Sequence, residues 1–493
     1  MHVPRALRVC ALIVVALAAW LVVSAAQEPQ ILSSLPSLVA DLTAPGTDRG
    51  LRSNTLPRAP HTAAEPERID RTGRDRPYEP GGVIVKFRAG ISATARLASV
   101  ASVAGAATET PAYANFEIVR IADGADPEAV ARQLGARPDV EYAQARYRVH
   151  PMFVPNDPLY REQWNFPLID MERAWDINPG ASSSIVVAVL DSGVAFRSGM
   201  MRYNARAFTV LIPPNTLLRY PALGLIDVPF AAAPDLGGSD RFVSPHDFIW
   251  DTNLPFDIEG HGTHVSGTIG QVTNNGVGVA GMAFNVRIMP VKVLDGDWDM
   301  IFNSPNEATD DVVARGIRYA VDNGAKVLNM SFGRGGPPAP VIEDAIRYAV
   351  SRGAFAAIAA GNEFERGNPL SRLAEIAGRI DGAVSVAAVS RDRTRAYYST
   401  TGSYVELAAP GGDQRRNGVP GGVLQQTYDL DLVETFLDGP AAYRAPRFDV
   451  FVYDFFQGTS MATPHVAGFA ALLMQQGITN PAAIEARKAP GRF

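Results

Sequence analysis

Between Gly81 and Val149 the apolar positions fall into short β-prone runs separated by stretches with a period near 3.6. Val83 to Phe87, Phe116 to Ile121 and Val140 to Val149 read as strands, Ser92 to Gly105 and Pro127 to Leu134 as helices, and Glu109 to Tyr113 as a weaker strand. The order βαββαβ predicts a small α+β domain of ferredoxin-like type over residues 78–150. From about Asn156 the rhythm lengthens. Ile185 to Leu190 is an unbroken apolar run, as a strand covered on both faces requires, and Val286 to Leu294, Lys326 to Met330, Ala354 to Ala360 and Ala383 to Val389 repeat it. Glu307 to Asn323 and Val341 to Arg352 read as helices, each followed by a glycine, Gly324 and Gly353, where a helix C-cap favours one. This alternation predicts an α/β domain with a central parallel sheet over residues 156–493, in which sites gather beyond the carboxyl ends of strands. Phe196 to Pro255 and Gly411 to Phe456 break the rhythm and read as long loop insertions.

The segments before Gly81 carry a different message. Arg5 and Arg8 precede an apolar run from Val9 to Val23, and Ser24-Ala25-Ala26 offers the small residues of a cleavage site, so residues 1–26 read as an export signal. The expected location is therefore secreted or periplasmic; an uncleaved run would leave the chain membrane-anchored. Residues 27–77, rich in Pro, Arg, Ala and Thr without an apolar period, read as a disordered linker. The single cysteine, Cys10, lies inside the apolar run, so a processed chain would have no disulfide, no cysteine-bound zinc and no thiol nucleophile. A net charge of -6 supplies no basic field for nucleic acid.

Three strings carry chemistry. Val189-Leu190-Asp191-Ser192-Gly193 puts a carboxylate at the end of a buried strand, a place that suits an orienting acid and equally an aspartate that merely caps a turn. His261-Gly262-Thr263-His264-Val265-Ser266-Gly267 lets a helix start close to another backbone with His261 at its head. His264 follows at i+3 without the glutamate of a metalloprotease helix, so a buried structural histidine is the reading preferred over a zinc ligand. Gly458-Thr459-Ser460-Met461-Ala462-Thr463-Pro464-His465 opens an apolar helix, where Ser460 sits at the positive end of the dipole. A serine there is commonly just a cap.

Together, in the order Asp, His, Ser, these strings resemble the subtilisin-like serine proteases over about Asn156 to Gln476. Asn156-Asp157-Pro158-Leu159-Tyr160 with Gln163-Trp164, Val327 to Gly333, and Ala359-Ala360-Gly361-Asn362 add to the likeness. The resemblance implies a three-layer subtilisin-like fold and a serine endopeptidase with Asp191, His261 and Ser460 as its triad. It implies that the Asn362 amide and the Ser460 N–H stabilise an oxyanion, that Ser331, Phe332 and Gly333 bind substrate as a strand, and that Gly361 walls the primary pocket. No cofactor is implied for catalysis. Residues 273–279 resemble a calcium loop of the family, with Thr273, Val277 and Val279 carbonyls, Asn275 and Gln163 as ligands; a plain glycine-rich turn remains the alternative. The βαββαβ unit resembles the family's inhibitory propeptides. The implied partners are thus polypeptide substrates and the chain's own propeptide in cis, in a monomeric zymogen that cuts itself between about Gln144 and Gln163.

The chain also departs from compact relatives, in the long stretch from Asp191 to His261 and in a helix beginning at Asn480 that breaks at Arg487. An inactive pseudoprotease acting as a binding protein is the alternative function. An esterase elbow would need glycine where Ala462 stands.

Overall fold

The computed structural model describes residues 78–147, apart from 104 and 106, and residues 153–487, apart from 213–215. The segments read as export signal and linker, and the last two residues of the Val140 to Val149 run, lie outside them. The described residues form two compact units, one on each side of residue 151.

The first unit is built from β1 (Tyr78–Phe87), α1 (Ala93–Ala101), β2 (Ala107–Glu109), β3 (Glu117–Arg120), α2 (Pro127–Gly135) and β4 (Val140–Tyr147). Its antiparallel sheet runs β2-β3-β1-β4, and Val83, Val85, Val119, Leu134 and Val140 fill the core beneath the helices. Ser92 and Asp126 cap the two helices through their side chains. The weak strand lies earlier than Glu109 to Tyr113, because Pro111 has no N–H to give a ladder. Helix α1 stops at Ala101, short of Gly105.

In the second unit a seven-stranded, wholly parallel sheet runs β10-β11-β5-β12-β13-β14-β15. Its strands are β5 (Val186–Asp191), β10 (His246–Asp247), β11 (Arg287–Lys292), β12 (Val327–Met330), β13 (Phe355–Ala359), β14 (Ala383–Val389) and β15 (Leu407–Pro410). Each predicted strand run is present to within two residues at either end, with β5 one residue further along and β14 unchanged. Alternate residues of β5 face opposite cores. Val187 and Val189 pack with Val265 of α3 (His261–Gly270) and Val466 and Ala470 of the helix Thr459–Gln475. Ala188 and Leu190 pack with Ile317 of α5 (Asp310–Asp322) and Ile346 of α6 (Pro340–Ser351). Helices thus cover both faces in three layers, and Gly324 and Gly353 follow α5 and α6 at φ +95 and +83. The chain leaves β5 for β10 and β11 on one side and only then crosses to β12 on the other. The carboxyl end of β5 is therefore the switch point where an open parallel sheet leaves a crevice.

The two long insertions are not plain loops. The first forms nested hairpins, β6 (Gly199–Ala205) with β9 (Gly224–Phe230) and β7 (Phe208–Ile212) with β8 (Thr216–Tyr220); the second forms β16 (Val423–Tyr428) with β17 (Phe451–Phe456). The second packs on Trp298 of α4 (Asp297–Phe302), whose ring lies 5.8 Å from Phe436 and 6.0 Å from Tyr443, and the first meets the second at Tyr443, which stands 5.4 Å from both Phe208 and Tyr220. Trp298 Nε1 donates to the Val433 carbonyl at 2.7 Å, which satisfies its one polar atom inside the cluster.

Candidate active site

Asp191 ends β5 with its side chain wholly buried, and His261 begins α3 with its side chain 22% exposed. His261 Nδ1 and Asp191 Oδ1 are 2.7 Å apart. A carboxylate can only accept here, so Nδ1 carries a proton, and in the neutral ring Nε2 keeps a free lone pair. Glycine is required beside the histidine: a Cβ on Gly262 would meet the Gly193 carbonyl oxygen at 2.1 Å and Asp191 Cβ at 3.1 Å. The helix head can approach the turn after Asp191 this closely only without a side chain.

Ser460 is the second residue of the helix Thr459–Gln475, so its N–H belongs to the first turn, which has no intrahelical acceptor. Its hydroxyl donates to the Ser331 carbonyl at 2.9 Å, and Ser331 Oγ donates back to the Ser460 carbonyl at 2.8 Å. Among the described residues Ser460 Oγ has no hydrogen bond to His261. The structure therefore joins Asp191 to His261, and joins Ser460 to the substrate-strand candidate Ser331, with the hydroxyl turned to that strand.

Asn362 is fixed from one side. Its Oδ1 accepts from Thr459 N at 2.9 Å and from Thr459 Oγ1 at 3.0 Å, and Thr459 Oγ1 in turn accepts from Gly361 N at 3.2 Å. With the oxygen committed, the amide nitrogen is the end left to donate. Phe332, Gly333, Gly361, Asn362 and Ser460 share the lining of one pocket of about 540 Å³, open mouth included. Glu363, Pro369, Leu370, Ser371 and Thr400, which no motif located, also line it. Arg334 also lines it, but is held by Asp310 through two 2.7 Å hydrogen bonds, and Glu363 pairs with Arg366 at 3.1 Å.

His264 is buried, stacks on Phe456 at 4.3 Å, and its Nε2 donates towards the Val423 and Asp454 carbonyls at 3.1 and 3.2 Å. Burial pushes its pKa down to about 3, so it is a neutral structural histidine. Among the described residues no three His, Cys, Asp or Glu side chains stand together as a metal site.

Of the ligands expected at residues 273–279, the two side chains, Gln163 and Asn275, bond to protein groups. Both ends of the Gln163 amide are engaged: Nε2 donates to the Ala280 and Leu424 carbonyls at 3.0 and 3.2 Å, and Oε1 accepts from Ala280 N at 2.7 Å. Asn275 Oδ1 accepts from Val277 N and its Nδ2 donates to Asp235, each at 2.8 Å, while Asp157 accepts from Asn274 N at 2.7 Å. These side chains bond to one another and to the backbone as a hydrogen-bonded turn.

Sequence reasoning missed the residues that brace the site, Ser192, Asp257 and Thr459. The bonds that tie them across the site, Ser192 to Asp257 and Thr459 to Asn362, span 65 and 97 positions of chain, which no local pattern marks.

Residues 182–487 match the family model described as Subtilase family, and residues 64–145 match that of the Fervidolysin N-terminal prodomain. The chain is 30% identical over 417 residues to the thermophilic serine proteinase of Bacillus sp. (strain AK1), which covers 84% of this chain and 81% of that protein. It is 31% identical over 393 residues to the extracellular protease of Xanthomonas campestris pv. campestris, covering 76% of this chain and 60% of that protein. A solved protease structure from Pseudoalteromonas arctica PAMC 21717 aligns with a TM-score of 0.49 and 29% identity, over 68% of this chain and 91% of that one.

Proposed function

The chain belongs to the subtilase family of serine proteases, with a prodomain ahead of its peptidase domain, and from that premise we propose that it cleaves peptide bonds through an acyl-enzyme on Ser460. The observation that carries the reading is the 2.7 Å contact of His261 Nδ1 with the buried Asp191 carboxylate, which leaves Nε2 as a base. Once Ser460 Oγ turns from the Ser331 carbonyl to Nε2, its proton passes to the imidazole as the oxygen attacks the substrate carbonyl. The imidazolium, held by Asp191, then protonates the leaving amine; water repeats the exchange to free the acid. Hydroxyl contacts of this sort commonly tighten only when substrate is bound.

Negative charge arriving on the carbonyl oxygen would be met by Asn362 Nδ2 and the Ser460 N–H. An extended substrate would pair with Ser331, Phe332 and Gly333 and place one side chain in the pocket walled by Gly361. Both charged groups of that pocket already have partners, which favours an uncharged side chain there. The acyl chemistry calls for no cofactor. Relatives described as extracellular proteases support export, and among the described residues no helix is long and apolar enough to cross a membrane. The unit ending at Tyr147 would act as an inhibitory propeptide removed by the enzyme itself, as its prodomain match suggests.

The test is turnover of a mixed peptide library alongside labelling by a fluorophosphonate. Wild-type protein is expected to cleave and to be labelled on Ser460, and Ser460→Ala to do neither. Asn362→Ala should still be labelled, with kcat lower by about 10²- to 10³-fold, a magnitude known from subtilisin and carried over to this chain. Turnover that survives Ser460→Ala would end the proposal.

A further inference from the structure

Asp257 lies four residues before His261 and is wholly buried. Its carboxylate collects five donors. Oδ1 accepts from Ser192 Oγ at 3.0 Å, Glu259 N at 3.0 Å and Gly260 N at 2.8 Å; Oδ2 accepts from Thr263 N at 2.9 Å and Thr263 Oγ1 at 2.6 Å. Four of these donors belong to the segment that turns into α3, and the fifth is the residue next to Asp191. Ser192 completes the brace: its N–H donates to Asp191 Oδ1 at 2.8 Å, and its Oγ accepts from Gly262 N at 3.0 Å. The turn is held from behind by Lys292, buried and paired with Asp299 at 2.9 Å, whose Nζ donates to the Ser192 carbonyl at 2.8 Å.

We propose that Asp257 and Ser192 are positioning residues of the catalytic triad, clamping the head of α3 to the turn after Asp191 and adding a second fixed negative charge beside the imidazolium. A cap alone would need one or two of these bonds; here a single carboxylate spans both segments that must meet for Asp191 and His261 to touch. Because the carboxylate is oriented by five donors and buried, it costs no reorganisation when His261 becomes charged.

The charges around the pair come from several elements. His261 is faced by Asp191 from β5, by Asp257 and Glu259 from its own loop, and by the neutral His264 one turn on; Asp257 is faced by Lys292 from β11 and by the buried Tyr428 hydroxyl from β16. Burial works against the imidazolium, while Asp191, Glu259 and Asp257 all favour it. Removing the Asp257 charge therefore lowers the His261 pKa, and the acid limb of kcat/KM moves to lower pH.

This inference rests on the triad reading, and the experiment separates the two. Full-length wild type, Ser192→Ala, Asp257→Asn and Asp257→Glu are assayed on a peptide amide across the pH range, with thermal melts and fluorophosphonate labelling. Ser192→Ala is expected to lose about 10- to 100-fold in kcat with KM unchanged and the acid limb in place, since it slackens the geometry and keeps the charge. Asp257→Asn should lose at least as much and carry its limb down by about one pH unit. Asp257→Glu should lose kcat and keep the limb. Ser192→Ala with wild-type kcat and KM overturns the clamp, whatever becomes of the Asp257 variants. A folded Asp257→Asn with an unmoved limb overturns the electrostatic part. Wild-type protein that neither labels nor turns over would sink the triad reading instead.

Discussion

At the scale of single residues, His261 is pulled in two directions. Burial pushes its pKa down, but the Asp191 carboxylate, with its hydrogen bond, and then Glu259 and Asp257 outweigh that and hold it up at about 9. A general base works only when neutral, and a raised pKa keeps it protonated as far as that value. Activity should therefore be low near neutrality and rise as pH climbs through the folded pKa, so that kcat/KM is still increasing above about pH 8. A pH–rate profile checks this, and an acid limb complete below about pH 7 contradicts it. The candidates Asp191, His261, Ser460 and Asn362 could be named from sequence because each sits in a string rich in glycines and small residues, of which Gly262 has a steric reason against Gly193. Asp257 and Thr459 were not singled out, since the bonds that tie them to Ser192 and Asn362 join segments far apart in the chain.

Among the elements, the core strands were legible because burial on both faces forces an unbroken apolar run, and β5, β12, β13 and β14 have every residue buried. The insertions were harder. The hairpins of the first leave one face open, as the exposed Leu211, Leu217 and Leu225 show, although β10 joins the central sheet and Phe230 bridges Phe448 of the second. What orders them is a shared aromatic cluster whose members come from three distant segments. Trp298 anchors the second insertion to α4, 1% exposed and packed on Phe302 at 5.0 Å as well as on Phe436 and on Tyr443, which in turn holds Phe208 and Tyr220 of the first. Trp298→Ala would open a cavity between the second insertion and α4, and is expected to cost about 3–5 kcal/mol. Denaturant unfolding measures it; a loss under about 1 kcal/mol would mean that the insertions hold together without this anchor.

For the whole molecule, the order of folding and cutting is at issue. The central strand β5 pairs with β11 and β12, partners about 100 and 140 residues further along, so the sheet gains nothing until remote segments have met. Such a domain folds slowly and exposes unpaired edges meanwhile. The α+β unit is small and has its own core, and only residues 148–152 separate its last strand from the described part of the peptidase unit. A tether this short sets an effective concentration in the millimolar range, far above that of any second molecule in a dilute refolding mixture. If the prodomain acts in cis, the first cut must be intramolecular. Purified Ser460→Ala should stay at full length, and wild-type protein should release the unit at a first-order rate that does not change on tenfold dilution. Electrophoresis of refolding samples at two concentrations, with mass spectrometry of the new terminus, gives both answers. A rate falling in proportion to concentration would mean that one molecule trims another, and trimming of isolated Ser460→Ala would remove self-processing altogether.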